Sequence, residues 1–226
     1  MALVASAGEG GNFKPIEEGT YIALCYGLID LGEVYSENFD KCSHKCMILW
    51  ELDGETIKLD DGLEVNRSVS KTYTLSLNEK SSLRKDLRAW RGREFTEEEL
   101  KRFELKNILN APCQIQIVHK KTGEKTYANI AGIMALPKGM KKPEGTNTTL
   151  YWDFEEDSIN DGMWNILPEF VQNRIEESET YKYITEGKSE HLSQSKIEEI
   201  QQYESYKKMH SFAPIADGED DPDCPF

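Results

Sequence analysis

Between residues 20 and 136 the chain alternates strand-like runs with turn residues, and once, between Asn78 and Asn110, its apolar period changes from two to about 3.6. That order of periods constrains the fold more than any other feature. Residues 20–32, TYIALCYGLIDLG, are β-branched, aromatic and bounded by glycine, and predict a long first strand bent at Gly27. CMILWEL, residues 46–52, predicts a second strand closed by a DGE turn and followed by TIKL. After a DDG turn, the Thr-, Val- and Tyr-rich residues 65–77 predict a third strand or hairpin. In the helical stretch Asn78 stands as N-cap, Leu83, Leu87 and Trp90 share one face, and Gly92 closes the helix. TEEE, residues 96–99, is a capping box that opens a short second helix. Strands return at residues 113–119 and 125–136, joined by a tight basic turn.

PKGMKKPEGTN, residues 137–147, reads as a linker. Beyond it TLYWDF predicts an edge strand. Pro168 opens an amphipathic helix with Phe170, Val171 and Ile175 inward, and a further helix spans residues 194–209. From Ser211 onward Pro, Gly and Asp dominate, and the chain is expected to be disordered. The predicted organisation is a flexible N-terminus over 1–12, a folded domain over 13–137, a linker and helical extension over 138–210, and an acidic tail over 211–226.

Charge is distributed unevenly along this order. Residues 1–65 hold 4 Lys/Arg against 13 Asp/Glu, residues 66–142 hold 17 against 8, and residues 143–226 hold 6 against 20, giving nets of −9, +9 and −14. A positive middle inside a chain of net charge −14 predicts a polyanion-binding surface near an acidic tail. No apolar run reaches the roughly 18 residues that cross a bilayer. MALVASAGEGGNF has no basic leader, and five cysteines show no framework spacing, so reduced thiols and a cytoplasmic location are expected.

The fold class expected is mainly β: five strands with a helix between the third and fourth, the order of the OB-fold barrel, followed by a helical C-terminal extension and a disordered acidic tail. Such barrels hold oligonucleotides on the face of strands 2 and 3 and the adjoining loops. Single-stranded nucleic acid needs cations for phosphates and aromatic faces for bases, each stack contributing roughly 1–3 kcal/mol. The tripeptide K-T-Y occurs twice, as Lys71 to Tyr73 and Lys125 to Tyr127, and puts a cation and an aromatic on one face of a strand. Trp50 is the third candidate platform. The candidate cations are Lys71, Lys80, Arg84, Lys85, Arg88, Arg91, Lys120, Lys121 and Lys125. Each aromatic has a competing reading as a core residue, and the arginine stripe as a solvated helix face.

The chain ends GEDDPDCPF. Asp220, Asp221, Asp223, Pro225 and Phe226 resemble the tip of bacterial single-stranded DNA-binding proteins, with Cys224 where that tip has isoleucine. GTYIALCYGLIDLG, SKTYTLSLNEKSSLRKDLRAWRGR and LPEFVQNRIEESETY resemble phage-encoded single-stranded DNA-binding proteins. The resemblance implies single-stranded DNA as ligand, action in replication or recombination, no catalytic chemistry and no cofactor. It also implies recruitment of a polymerase, helicase, primase or nuclease through a pocket that reads the terminal phenyl ring and carboxylates. Self-association into a homo-oligomer is compatible with it.

Three other readings compete. Cys42, His44 and Cys46 in CSHKC would supply three zinc ligands, but a second clustered pair is absent, and Cys25, Cys113 or His119 would have to be recruited; a loop with free thiols is the expectation. DFEED, residues 153–157, has carboxylates suited to Mg²⁺ but reads more simply as a solvated run. No P-loop, HExxH or nucleophile elbow is present, so enzyme motifs give no support. The functional alternatives are a recombination mediator or annealing protein, an RNA-binding OB module, and an acidic interaction protein or DNA mimic.

Overall fold

The computed structural model describes residues 15–211 except 60, 61, 124, 156, 158, 160 and 161, with the backbone alone at 122, 125, 210 and 211. The acidic tip from Asp220 to Phe226 lies outside the described residues.

Six strands form one sheet: β1 (Gly19–Ser36), β2 (Lys41–Lys58), β3 (Glu64–Thr74), β4 (Pro112–Thr122), β5 (Lys125–Met134) and β6 (Leu150–Trp152). Their order is β3-β2-β1-β4-β5, with β6 paired to β1. β1 and β4 run antiparallel from Gly19 opposite Ile117 to Leu24 opposite Pro112. β4 and β5 run antiparallel from Gln114 opposite Met134 to Thr122 opposite Lys125, with an irregularity between Gln116 and Ile117. The mainly β class and the C-terminal helices agree with expectation. The closed five-stranded barrel does not, because β3 and β5 end the sheet without pairing to each other among the described residues. The helix α1 (Ser82–Arg91) packs against both of these end strands instead.

Two strands are longer than predicted. β2 runs without a break through CSHKC and through Asp53-Gly54, so the expected thiol loop and DGE turn are both strand. Gly54 takes φ 81°, a left-handed conformation that glycine accepts within a continuing strand. Gly27 in β1 marks a close approach: a Cβ there would fall 2.6 Å from Leu49 Cδ1. The α1 N-cap is Ser81 rather than Asn78; its Oγ accepts from Arg84 N at 3.1 Å. Gly92 closes the helix at φ 66° by donating to Arg88 O. The capping box of α2 (Glu97–Lys101) forms as read, with Thr96 and Glu99 bonded reciprocally.

The chain divides into two compact units, Met1–Leu28 with Met47–Tyr151, and Ile29–Cys46 with Trp152–Phe226. This corrects the expected boundary at 137. Residues 143–149 belong to the first unit because Glu51, buried in β2, accepts hydrogen bonds from Thr146 N at 2.8 Å and Asn147 Nδ2 at 2.9 Å. In that unit Leu83, Leu87 and Trp90 of α1 are buried, and the rings of Trp90 and Trp50 meet at 5.8 Å.

The second unit combines residues 29–46 of β1 and β2 with α3 (Gly162–Ile166), α4 (Glu169–Glu176), α5 (Glu179–Glu186) and α6 (Gln194–Ser211). Trp152 is its fully buried centre, with Trp164 at 5.4 Å and Phe154 at 6.2 Å. Val171 and Ile175 point inward as predicted, but Phe170 is 51% exposed, a correction. Pro168 is the α4 N-cap, and Phe170 stands about 100° round the helix from the buried Val171, outside the buried stripe of Val171 and Ile175.

Leu87→Ala should lower stability by about 2–5 kcal/mol, because Leu87 is buried and leaves a cavity between α1 and the sheet. Chemical denaturation checks this, with the exposed Lys85→Ala as a near-neutral control.

Candidate nucleic-acid interface

The two K-T-Y tripeptides behave oppositely. In β3 the residues alternate from Arg67 onward: Ser68, Ser70, Thr72 and Thr74 are exposed, whereas Val69, Lys71 and Tyr73 face inward to differing depths; before them Val65 and Asn66 are both buried. Lys71 and Tyr73 therefore do share a face, and that face is the interior. Tyr73 is 2% exposed and donates to Asp86 Oδ2 at 2.9 Å, while Lys71 pairs with the same oxygen at 2.6 Å. Trp50 is fully buried. These placements correct the expectation that Trp50 and Tyr73 offer faces to bases. A ring whose faces are packed against protein cannot stack on a ligand without unpacking the core.

In β5 the phase is reversed. Ala128 and Ile130 turn inward, so Tyr127 turns out and is 50% exposed. Its direct partner across the hairpin is Lys120, and Lys121 is paired with Thr126. Directly opposed residues of an antiparallel pair share a face. The outer face thus continues from Lys120 and Tyr127 through Val118 and Gln116 to Met134, the last 40% exposed. Val118 and Met134 had not been singled out in the sequence; Val118 has the parity of Lys120, whereas Met134, of opposite parity to Tyr127, is brought to this face by the irregularity between Gln116 and Ile117. Lys125 contributes backbone pairing; its side chain lies outside the described residues.

The helix α1 carries the second cluster. Lys80, Lys85 and Arg88 are exposed, and Arg84 is half-buried, donating from Nη1 to Leu77 O at 3.2 Å. With Glu79 and Glu94 these four cations line an open cleft of about 860 Å³. Arg88 Nη1 meets Glu94 Oε1 at 3.0 Å, but the side chains are 54% and 67% exposed, so solvent screens the pair and the cation stays available to an anion. Arg91, the last member of the stripe, is placed otherwise. It is bonded to Glu99, and its guanidinium lies over Phe95 at 4.5 Å and Phe103 at 4.9 Å. Arg93 hydrogen bonds, the Thr96 N–H and Arg91 hold the Glu99 carboxyl down at about 2. Arg91 is thus a packing residue that ties α1 to α2, and its assignment to the interface is corrected.

The CSHKC segment belongs to the second unit. Among the described residues no group of three or more His, Cys, Asp or Glu side chains is arranged to hold a metal ion. Burial pushes the Cys46 thiol up to about 12, and the half-buried Cys42 donates to His191 O at 3.3 Å. His44 Nε2 lies 2.6 Å from Asp30 Oδ1, and Glu33, itself 3.5 Å from Lys196, stands 3.9 Å from His44 Nδ1. Burial pulls the imidazole down, but the Asp30 hydrogen bond and the charges of Asp30 and Glu33 outweigh it, so His44 is raised.

No protein-family model matches the chain, and no curated protein is similar to it in sequence. Among the described residues no helix is long and apolar enough to cross a membrane.

A raised folded-state value means that protonated His44 stabilises the second unit below the unfolded imidazole value of about 6.5, and that this contribution is lost as pH rises through the folded value. His44→Gln should therefore lower the melting temperature more at about pH 5.5 than at about pH 8.5, either side of that value. Equal losses at both would show that Asp30 and Glu33 do not govern this imidazole.

Proposed function

We propose that this chain binds single-stranded DNA, largely without sequence selectivity, through its first unit during replication or recombination, and recruits partner proteins through its acidic Pro-Phe end. The observation that carries the reading is the open cleft on α1 where Lys80, Arg84, Lys85 and Arg88 converge. A cationic track of this kind binds the phosphate backbone whatever the base sequence. The sheet order supports the same reading. β3-β2-β1-β4-β5 with a helix between β3 and β4 is the OB order, here in a partly open form spanned by α1.

The residues assigned to the interface are Lys80, Arg84, Lys85, Arg88, Lys120, Lys121 and Tyr127. Tyr127 beside Lys120 is the stacking position: an exposed ring takes a base face while the neighbouring ammonium takes its phosphate. The hydroxyl row of Ser68, Ser70, Thr72 and Thr74 supplies neutral hydrogen-bonding partners on β3 rather than aromatic ones. The chain acts by binding, with Asp220, Asp221, Asp223, Pro225 and Phe226 addressing a basic-rimmed pocket on a replication or recombination protein.

Fluorescence anisotropy with an unstructured oligonucleotide at increasing salt tests the reading. Binding should weaken steeply with salt, and Lys85→Glu with Arg88→Glu should weaken it for every sequence and shallow the salt slope. Tyr127→Ala should cost about 1–3 kcal/mol of affinity. Absence of binding at low salt would end the nucleic-acid reading. Removing residues 217–226 should tighten DNA binding, since a tethered polyanion competes for the same cations at low salt, and should abolish partner capture. Unchanged or weaker DNA affinity in that truncation would refute the competition.

A further inference from the structure

The two oxygens of Glu51 are in different situations. Oε2 accepts from Asn66 Nδ2 at 3.2 Å, Thr146 N at 2.8 Å, Thr146 Oγ1 at 3.1 Å, Asn147 N at 3.2 Å and Asn147 Nδ2 at 2.9 Å. Oε1 is buried with no hydrogen-bond partner among the described residues, in a side chain whose residue is 1% exposed. A buried carboxylate oxygen without a donor is costly, and a ligand that brings one recovers that cost. Glu51 lines a cavity of about 430 Å³ with Leu24, Asn110, Lys142, Gly145 and Thr149. Gly145 lies directly beside the orphan oxygen: a Cβ there would fall 2.6 Å from Oε1 and 2.9 Å from Leu24 Cδ2. What covers Oε1 on that side is backbone without a side chain, in a segment whose exposed Lys142 and Glu144 face solvent.

We propose that this cavity takes one unstacked nucleobase carrying an exocyclic amino group, which donates to Glu51 Oε1 as the Gly145 backbone gives way. Leu24 is the apolar floor for the ring, the Asn110 amide and Thr149 hydroxyl meet its remaining edge, and Lys142 takes a phosphate. A carboxylate accepting from cytosine N4 is an established pairing in base recognition. Adenine and guanine also carry an amino group. Thymine does not: its one ring N–H is flanked by two carbonyl oxygens, which the carboxylate repels. The site therefore discriminates against thymine, because buried polar groups reject an analogue that leaves them unpaired. This rests on the single-stranded DNA reading above and adds a base preference to it.

Glu51→Gln provides a sharp test. The donors around Oε2 require an acceptor there, so the glutamine carbonyl must take that place and its NH₂ must stand where Oε1 stood. The loop bonds are kept while the cavity's acceptor becomes a donor. The full chain should bind oligo-dC roughly tenfold more tightly than oligo-dT, the scale of one hydrogen bond to a charged group. Glu51→Gln should abolish or invert that ratio in a chain that still folds, as its circular dichroism checks, and Lys142→Ala should weaken both oligonucleotides alike. Gly145→Ala, which places a methyl against Oε1, should also erase the ratio while leaving overall binding. Millimolar dCMP should raise the melting temperature of the wild-type chain more than dTMP does. Equal dC and dT affinities, or a ratio that survives in a folded Glu51→Gln or Gly145→Ala chain, overturns the proposal. If no oligonucleotide binds, the DNA reading fails, and the dCMP and dTMP melts alone then decide whether the cavity holds a base.

Discussion

The first unit depends on a carboxylate that water does not reach. Glu51 sits in the middle of β2 at 1% exposure and gathers donors from β3 and from Thr146 and Asn147. A buried charge is tolerated only where hydrogen bonds replace its hydration. Here those bonds come from a segment about 95 residues further along the chain, which is thereby held against the sheet. That segment has the Pro, Gly and Lys composition of a linker, and composition alone assigned it as one. The long-range bonds override the local signal. Gly145 belongs to the same arrangement, since any side chain there would collide with the oxygen it covers.

What could be read from the residues was the local chemistry of ends and periods. The capping box at Thr96, the glycine that closes α1 and the apolar triad Leu83, Leu87 and Trp90 all stand as their sequence predicts. Each of these depends on interactions within a few residues. The Asn78 assignment slipped by three residues because Ser76, Asn78 and Ser81 are all competent caps, and Ser81 alone presents its Oγ to Arg84 N. The long tip of the β1–β2 hairpin and the helix α5 were missed for the opposite reason. Residues 29–46 are fixed by contacts with residues beyond 152, including Glu33 N donating to Thr180 Oγ1 across 147 positions, and no local pattern encodes such a partner.

The K-T-Y pair shows where more could have been extracted. Both copies place lysine and tyrosine on one side of a strand, so spacing cannot say whether the side is inner or outer. The neighbours can. In β3 Val65 and Val69 share parity with Tyr73, and in β5 Ala128 and Ile130 have the parity opposite to Tyr127. Apolar residues of known parity assign the core face, and everything in phase with them goes inward. That rule buries Tyr73, exposes Tyr127, and would have put the Ser/Thr row of β3 on the surface. Trp50 is a different case. Residues 46–52 around it are buried at every position, Glu51 included, and the run before it, Cys46 to Leu49, is apolar throughout, so both faces of β2 are covered and parity carries no information.

Under the proposed single-stranded DNA reading, broad binding and a modest base preference would be carried by different groups of the first unit. Lys80, Lys85, Arg88, Lys120 and Lys121 are exposed, and Arg88 is paired with an exposed acid, so a phosphate bound there would be held through screened, sequence-independent attraction. Lys71 and Arg91, by contrast, have their charges consumed by Asp86 and Glu99 in partly buried contacts and cannot serve both roles. The net of +9 in the middle of the sequence therefore overstates the cationic surface, because part of it is spent inside the fold. On that reading affinity would fall to the exposed lysines and Arg88, and discrimination to buried groups, where an unpaired donor or acceptor is costly. Among the described residues of this unit the buried side-chain acceptor left without a donor is Glu51 Oε1, so the proposed selectivity among bases is to be sought at that oxygen rather than along the basic helix.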